Sequence, residues 1–448
     1  MTYSDPRVLA HDVTKRVLYH GAFADIALGS ALSTSSLSGS DRRLATELVY
    51  GTTRRLLTVD WALDWLLKKP VAKASPDLAT SLRLGAYQIL YLDRVPAYAA
   101  VDRAAGIVRE KSGSREAGVV NAVLRKLARE GPRALPPWDD PGHRLAIEHS
   151  HPEWLVRDLL SRFGVEETSR MLAANNSPPP LEVWVNTLKS DRDTVAWLLE
   201  TDGFGVSPAK FAGQGLVIEA EGRPLERTSA FTNGLIYIMD EAAMLVAPAL
   251  GPGPGSAVLD ACAAPGGKTA ALAAAMGNQG HIVAKDISAA RVAMIRQNCE
   301  RLGVTIVETV VGDAREPGGQ DEPAFDYVLV DAPCSGLGVL RRRPDLRWRK
   351  SLGQIAELRS LQISILHGAA SELKPGGALL YSTCSIHPDE NQSIIESFLK
   401  EDPRFRPSGL KGRIPADLEH DERGGTLQLY THLHGTDGFY MARMTREF

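Results

Sequence analysis

The sequence predicts an α/β fold preceded by an all-helical domain, and three observations carry that prediction. From Ala257 onward, apolar strand-like runs alternate with helical spacing, which implies a mostly parallel sheet with helices on both faces. The first 130 or so residues carry apolar stripes at helical spacing instead. Between the two, Ser177-Pro178-Pro179-Pro180 breaks the chain ahead of a short alternating stretch that opens a small mixed segment. The expected domains are 5–135 (helical), 151–240 (linker and small α+β subdomain) and 241–448 (α/β).

Asp5 followed by Pro6 is an N-cap with proline at the first helical position, and Val8, Leu9, Val13, Val17 and Leu18 follow it as a stripe. Further helical patterns span Ser40 to Leu57, Val59 to Leu67, Asp77 to Leu92, Ala97 to Ser112 and Arg115 to Glu130. Pro132, Pro136, Pro137 and Pro141 punctuate a linker, and a helical section follows around Trp154 to Ala174. Leu181 to Val185 alternates as a strand does. The stretch Gly251-Pro252-Gly253-Pro254-Gly255 introduces the last domain. Its expected strands are Ala257 to Leu259, His281 to Ala284, Ile306 to Val311, Tyr327 to Val330 and Ala378 to Tyr381, with Asp260, Asp286, Asp313 and Asp331 closing four of them.

Four cysteines in 448 residues, with no Cys-x-x-Cys spacing and a polar opening stretch, predict a cytoplasmic protein with reduced thiols. No apolar run approaches the roughly 18 residues of a membrane span, so no membrane association is expected. The net charge is −3, but residues 1–150 hold 21 Lys and Arg against 16 Asp and Glu, a local +5. A second cluster, 341–350, holds six positive residues and one negative, with Trp348 among them. Most charge runs are solvated surface; beside a reactive thiol this one suggests a phosphate-bearing substrate.

That thiol is one of two in matching settings. Cys334 lies in Val330-Asp331-Ala332-Pro333-Cys334-Ser335 and Cys384 in Tyr381-Ser382-Thr383-Cys384-Ser385, each just past an apolar run. Both therefore fall at the carboxyl ends of strands, where open α/β sheets bind ligands. Cys262 and Cys299 read more simply as small buried residues. Cys384 and His387 have a Cys-x-x-His spacing, but no second pair completes a metal site.

Asp260-Ala261-Cys262-Ala263-Ala264-Pro265-Gly266-Gly267-Lys268-Thr269 is a strand end, a small-residue turn and a helix start, suited to a polar ligand on backbone amides. It lacks the Gly-x-Gly-x-x-Gly of dinucleotide sites. Gly267-Lys268-Thr269 matches the end of a P-loop, but Cys262 stands where the leading glycine belongs, so a nucleotide triphosphatase is the weaker reading. S-adenosylmethionine fits best: Asp286, 26 residues after Asp260, falls where a carboxylate can bond ribose hydroxyls, and Asp313 where one can meet the adenine edge. The plain alternative for any one aspartate is a loop-start residue bonding its own backbone. Lys268 is equally a helix-start lysine or a neighbour of the ligand.

With these residues in place, the chain resembles the bacterial RNA cytosine-5 methyltransferases of the Sun (RsmB) type, which modify 16S ribosomal RNA. Besides the segments above, Asp240-Glu241-Ala242-Ala243, Arg341-Arg342, Pro344-Asp345 and Trp348, Leu373-Lys374-Pro375-Gly376-Gly377, Glu390-Asn391 and Asp437-Gly438-Phe439 carry the resemblance. The N-terminal region is similar to the antitermination factor NusB, an RNA-binding helical fold, through Asp41-Arg42-Arg43, Glu47 to Gly51, Arg83 to Leu90 and Val119 to Arg125. Met239, where the family usually has Gln, and an insert from Glu316 to Pro323 depart from the pattern.

The resemblance implies a Rossmann-like methyltransferase domain and transfer of a methyl group from S-adenosylmethionine to cytosine C5 in 16S rRNA. It implies cofactor contacts at Cys262, Ala263, Ala264, Pro265, Gly266, Gly267, Lys268, Asp286, Asp313 and Asp331, and catalytic roles for Cys384, Cys334 and Asp331. Cytosine C5 is a weak nucleophile until a thiolate adds to C6. DNA cytosine-5 methyltransferases use the cysteine of a Pro-Cys motif, which would favour Cys334. The RNA enzymes use the Thr-Cys-Ser cysteine, so Cys384 is the expected nucleophile and Cys334 assists release. Asp331 would bond the cofactor or the cytosine N3 edge. A monomer is expected, and an RNA-binding factor without catalysis is the further alternative.

Overall fold

The computed structural model describes residues 3–136, 139–220, 223–316 and 323–448. Pro137 of the linker and most of the insert from Glu316 to Pro323 lie outside them. The chain divides into two compact units, Met1–Ser177 with Leu340–Arg349, and Pro178–Val339 with Lys350–Phe448.

The first unit is helical. Its helices are Pro6–Tyr19, Ala24–Ser33, Gly39–Arg54, Leu56–Asp64, Pro76–Tyr91, Ala97–Ser112, Ser114–Glu130, Pro141–His149 and Glu153–Ala174. Asp5 caps the first as expected, accepting from Arg7 N at 2.7 Å and Val8 N at 3.3 Å. Leu9, Val13, Leu48, Leu63, Leu82, Leu124 and Leu127 form its core. Within it Arg83 makes a two-pronged contact with Asp60, both bonds 2.7 Å.

Two helices depart from the sequence reading. Ala24–Ser33 carries no strong stripe, and Pro141–His149 stands in the expected linker. Pro141 is not punctuation there: it occupies the first helical position behind an Asp140 cap that accepts from Gly142 N at 2.9 Å. Glu153–Ala174, at the head of the segment 151–240, lies in the first compact unit.

The basic cluster is the larger correction. Leu340–Arg349 is part of the helical unit, with Arg341 and Arg347 buried in it and Arg343 exposed. Arg347 is fully buried, its guanidinium donating to the backbone oxygens of Ser150 at 3.0 Å, Asn175 at 3.2 Å and Arg54 at 3.3 Å, and to Asn176 Oδ1 at 2.9 Å. Trp348 Nε1 donates to Thr53 O at 2.8 Å, Arg349 to Gly21 O at 2.9 Å, and Arg343 pairs with Asp25 at 2.7 Å. Charge counting misses this because an arginine fork can satisfy carbonyl oxygens as well as phosphates.

The second unit contains two sheets. Strands β1 (Leu181–Val185), β2 (Gly205–Pro208), β3 (Gly215–Glu219) and β4 (Ile236–Ile238) pair antiparallel in the order β2-β3-β1-β4, with the helix Arg192–Thr201 between β1 and β2. The main sheet comprises β5 (Ala257–Asp260), β6 (His281–Asp286), β7 (Val307–Val311), β8 (Phe325–Asp331), β9 (Leu373–Thr383), β10 (Phe405–Pro407), β11 (Thr426–Leu429) and β12 (Phe439–Arg446). Its order is β7-β6-β5-β8-β9-β12-β10, with β11 against β12. Neighbours from β7 to β9 run parallel and β12 runs antiparallel to β9.

Both faces are largely buried at β5, β8 and β9, which is why these strands read as continuous apolar runs, whereas the edge strand β7 is partly exposed. Val258 and Leu329 pack on one face with Leu272 and Ile295, while Leu259, Val328 and Val330 pack on the other with Leu366 and Phe398. The strand order reverses between β5 and β8, so their carboxyl ends open a crevice there. Among the described residues no helix is long and apolar enough to cross a membrane.

Candidate active site

Asp260 ends β5 and Asp331 ends β8, on either side of that crevice. The turn after Asp260 leads into the helix Gly267–Ala275, whose first residues aim Lys268 and Thr269 back at the strand ends. Thr269 Oγ1 donates to Asp260 Oδ2 at 2.7 Å, and Lys268 Nζ lies 2.6 Å from Asp331 Oδ2. Ser382, on β9, donates to the other Asp331 oxygen at 2.8 Å. Asp331 is thus held from two neighbouring elements, and Lys268 sits over the Phe439 ring at 5.5 Å.

These contacts set the charges. Burial pushes the Asp260 carboxyl up to about 7, with the Thr269 hydroxyl opposing it. Burial works against the Lys268 ammonium, but the Asp331 charge and hydrogen bond outweigh it and raise the pKa above the ordinary lysine value. Burial, then the surrounding aspartates, raise the Cys262 thiol.

A cavity of about 200 Å³ is lined by Tyr237, Ile238 and Met239, by Asp260, Cys262, Ala263, Ala264, Pro265, Gly267 and Lys268, and by Asp331. Most of the predicted cofactor turn therefore lines one space. A Cβ at Gly267 would overlap the Tyr237 ring, so only glycine lets the helix start there. The residues fit a polar ligand such as S-adenosylmethionine: Asp260, whose Oδ1 is buried without a partner, is one of the residues that line the cavity.

Asp286 and Asp313 do not line that cavity. Asp286 closes β6, nearly buried, with one oxygen accepting from Ser288 N at 3.0 Å. Asp313 accepts from the backbone N of Arg315 at 2.9 Å and is gripped by its guanidinium at 2.5 Å. Each makes the loop-start contact named above as the plain alternative; Asp286 keeps an oxygen 3.8 Å from Arg291 Nη1.

The two predicted thiols meet. Cys334, in the loop after β8, and Cys384, directly after β9, are both partly buried, with their Sγ atoms 3.3 Å apart. Contact with the Cys384 thiol, then burial, hold the Cys334 pKa well above the ordinary thiol value. Asn391 secures the second loop, accepting from Thr383 Oγ1 at 2.6 Å and donating to Ser385 O at 2.9 Å. Gly338 N donates to Cys384 O at 3.0 Å, and Gly438 N donates to Gly338 O at 2.8 Å. Among the described residues no group of His, Cys, Asp and Glu could hold a metal ion.

Sequence reasoning misses Tyr237 and Ile238, which carry no motif, and gives no role to Ser382, although it stands in the motif around Cys384. Met239 stands out in the sequence only as a departure. Asp240 and Glu241 prove to be ties: Asp240 accepts from Asp437 N at 3.1 Å and Glu241 from Ala212 N at 2.7 Å.

Comparison with known proteins places the chain in a family. Residues 247–445 match the family 16S rRNA methyltransferase RsmB/F, residues 4–129 the NusB family, and residues 151–223 the ferredoxin-like domain of RsmF/B-like methyltransferases. The probable ribosomal RNA small subunit methyltransferase B of Bacillus subtilis is 37% identical over 100% of both chains. The ribosomal RNA small subunit methyltransferase B of Pseudomonas syringae pv. tomato is 35% identical over 99% of this chain and 97% of its own. Among solved structures, the crystal structure of PH0851 superposes with a TM-score of 0.84 at 28% identity, covering 100% of both chains. A NusB-like helical domain, a ferredoxin-like sheet and a Rossmann-like domain thus follow one another in a chain that belongs to the 16S rRNA methyltransferase RsmB/F family, whose cofactor is S-adenosylmethionine.

Proposed function

We propose that the protein methylates C5 of a cytosine in 16S rRNA through a covalent adduct between Cys384 and C6. The observation that carries this reading is the pair of thiols 3.3 Å apart at the carboxyl edge of the sheet, in the loops after β8 and β9, of which β8 neighbours the strand that leads into the Asp260 turn. A triphosphatase has no use for two such thiols.

Cys384 adds as a thiolate to C6, which turns C5 into an enamine carbon. Asp331, held by Lys268 and Ser382, takes a proton from the Lys268 ammonium and donates it in a hydrogen bond to N3, which neutralises the charge that builds on the ring as the C6–S bond forms; the proton returns to Lys268 when the double bond re-forms. The bound cofactor supplies an electrophilic methyl group to C5. Loss of the C5 proton to a base then re-forms the double bond and expels Cys384 as thiolate. Cys334, kept protonated by its surroundings, donates its S–H to that departing sulfur. Asp260, Cys262 to Lys268 and Asp286 are assigned to the cofactor, and Asp313 to its adenine end. The helical unit, with its local excess of positive charge and its NusB relationship, is assigned to RNA binding.

The test is methylation of 16S rRNA from a deletion strain with labelled cofactor, followed by mapping of the modified base. Cys384→Ala should yield no product while binding S-adenosylhomocysteine as wild type does. Cys334→Ala should accumulate protein bonded to RNA, seen as a slow band on denaturing gels, and Cys334→Ala/Cys384→Ala should not. A band with Cys384→Ala that disappears with Cys334→Ala reverses the two roles; label at any position other than cytosine C5 rejects the reading.

A further inference from the structure

Glu390 ends the short turn Pro388–Glu390, is fully buried, and takes no part in the chemistry above. Its carboxylate nevertheless gathers donors from three stretches of chain. One oxygen accepts from Ser335 N at 2.7 Å and from Gln362 Nε2 at 3.2 Å. The other accepts from the Ser385 hydroxyl at 2.6 Å and from the Ser335 hydroxyl. Ser385 Oγ in turn accepts from His387 N at 3.1 Å and lies 3.3 Å from Ser335 Oγ.

Ser335 follows Cys334 and Ser385 follows Cys384. One buried carboxylate therefore binds the residue next to each thiol. Gln362, from the helix Leu352–Ser371, also donates to Pro333 O at 2.9 Å, and Tyr381 donates to the Glu390 carbonyl at 2.7 Å, so the clamp is anchored on both strands' loops. Hydrogen bonds to a buried charge are among the strongest a protein makes.

We propose that Glu390 is a positioning residue that sets the approach of Cys334 to Cys384 by acting through the serine beside each. In its link to product release this rests on the two-cysteine reading above; in the thiol geometry it does not.

The experiment uses the full chain and Glu390→Gln, which keeps the size of the side chain and replaces one acceptor with an NH₂ group. Dibromobimane, in which each thiol displaces one bromide, fluoresces once it bridges two thiols, and peptide mass spectrometry separates a Cys334–Cys384 bridge from any involving Cys262 or Cys299. Folded Glu390→Gln, with S-adenosylhomocysteine affinity like wild type, should form that bridge at least about fivefold more slowly, as expected for loss of a charge-assisted hydrogen bond. It should also accumulate RNA adduct under turnover. Bridging at the wild-type rate in the folded variant overturns the proposal, since a merely structural role lowers the unfolding midpoint and leaves the thiols in register. If Glu390→Gln does not fold, Ser385→Ala, which removes one hydroxyl donor and leaves the carboxylate, decides by the same rate. If Cys334→Ala gives no adduct either, the release reading fails, and the bridging rate alone judges Glu390.

Discussion

Asp260 is where the site stores unfavourable charge. Its carboxyl is fully buried, one oxygen bonded to Thr269 and the other without a partner, and burial lifts it from 3.8 to about 7. The folded state therefore binds this proton more tightly than the unfolded chain does. Below about pH 4 both are protonated; between about 4 and 7 the unfolded carboxyl ionises first, and stability falls as pH rises. A rise of that size costs the folded state at most about 4 kcal/mol once the pH exceeds both values. Asp260→Asn should thus gain on wild type across that window, by urea unfolding, and hold the gain at pH 8. A wild-type-minus-variant difference that does not change with pH would show that the carboxyl does not titrate there. At this scale the sequence is a fair guide to identity and a poor one to partnership. Motif spacing picks out Asp260, Lys268, Asp331 and both thiols, while Ser382 meets Asp331 only through a strand pairing and Tyr237 reaches the cavity only through its contact with a helix start.

Among elements, the loops that follow β8 and β9 carry the greatest constraint. They touch through backbone: a Cβ at Gly338 would overlap the Gly438 carbonyl oxygen and crowd Cys384 O at 2.8 Å. Gly338→Ala should therefore destabilise the unit by about 1 to 3 kcal/mol, as overpacking does, and slow methyl transfer more than it weakens S-adenosylhomocysteine binding. Urea unfolding with isothermal titration calorimetry checks this; an unchanged transfer rate in folded protein would mean the loops have slack. Strands β5, β8 and β9 are readable because both faces of the sheet are covered there and their apolar runs are unbroken. Pro141–His149 is not, since a capped proline start looks like a linker when the apolar stripe behind it is only Leu145, Ala146 and Ile147. Ala24–Ser33 is similarly short, and its burial depends on neighbours that no local window contains.

For the whole molecule, the informative residue is Arg347. All its partners are carbonyl oxygens, and burial, then the charges of Arg54 and Arg55, lower its pKa well below the ordinary arginine value. Arg347→Lys cannot span them, because one ammonium group lacks the fork. It should cost about 3 kcal/mol or more and release amide protection in Gly39–Arg54 and Glu153–Ala174, while β5, β8 and β9 keep theirs. Native-state hydrogen exchange on the full chain reads this directly; equal loss in both units would mean they do not unfold separately. Nothing in the sequence marks Arg341 and Arg347 in the stretch 341–350 as buried, because only a fold that gathers distant chain segments covers them. The same stretch has a consequence in time. The helical unit draws its last piece from Leu340–Arg349, about 170 residues beyond Ser177. A ribosome adding roughly 5 to 20 residues per second needs on the order of 10 to 35 s to reach it. Until then the nascent helices lack the guanidinium that answers the carbonyls of Ser150 and Asn175, so the first part of the chain to be made is not the first to be finished.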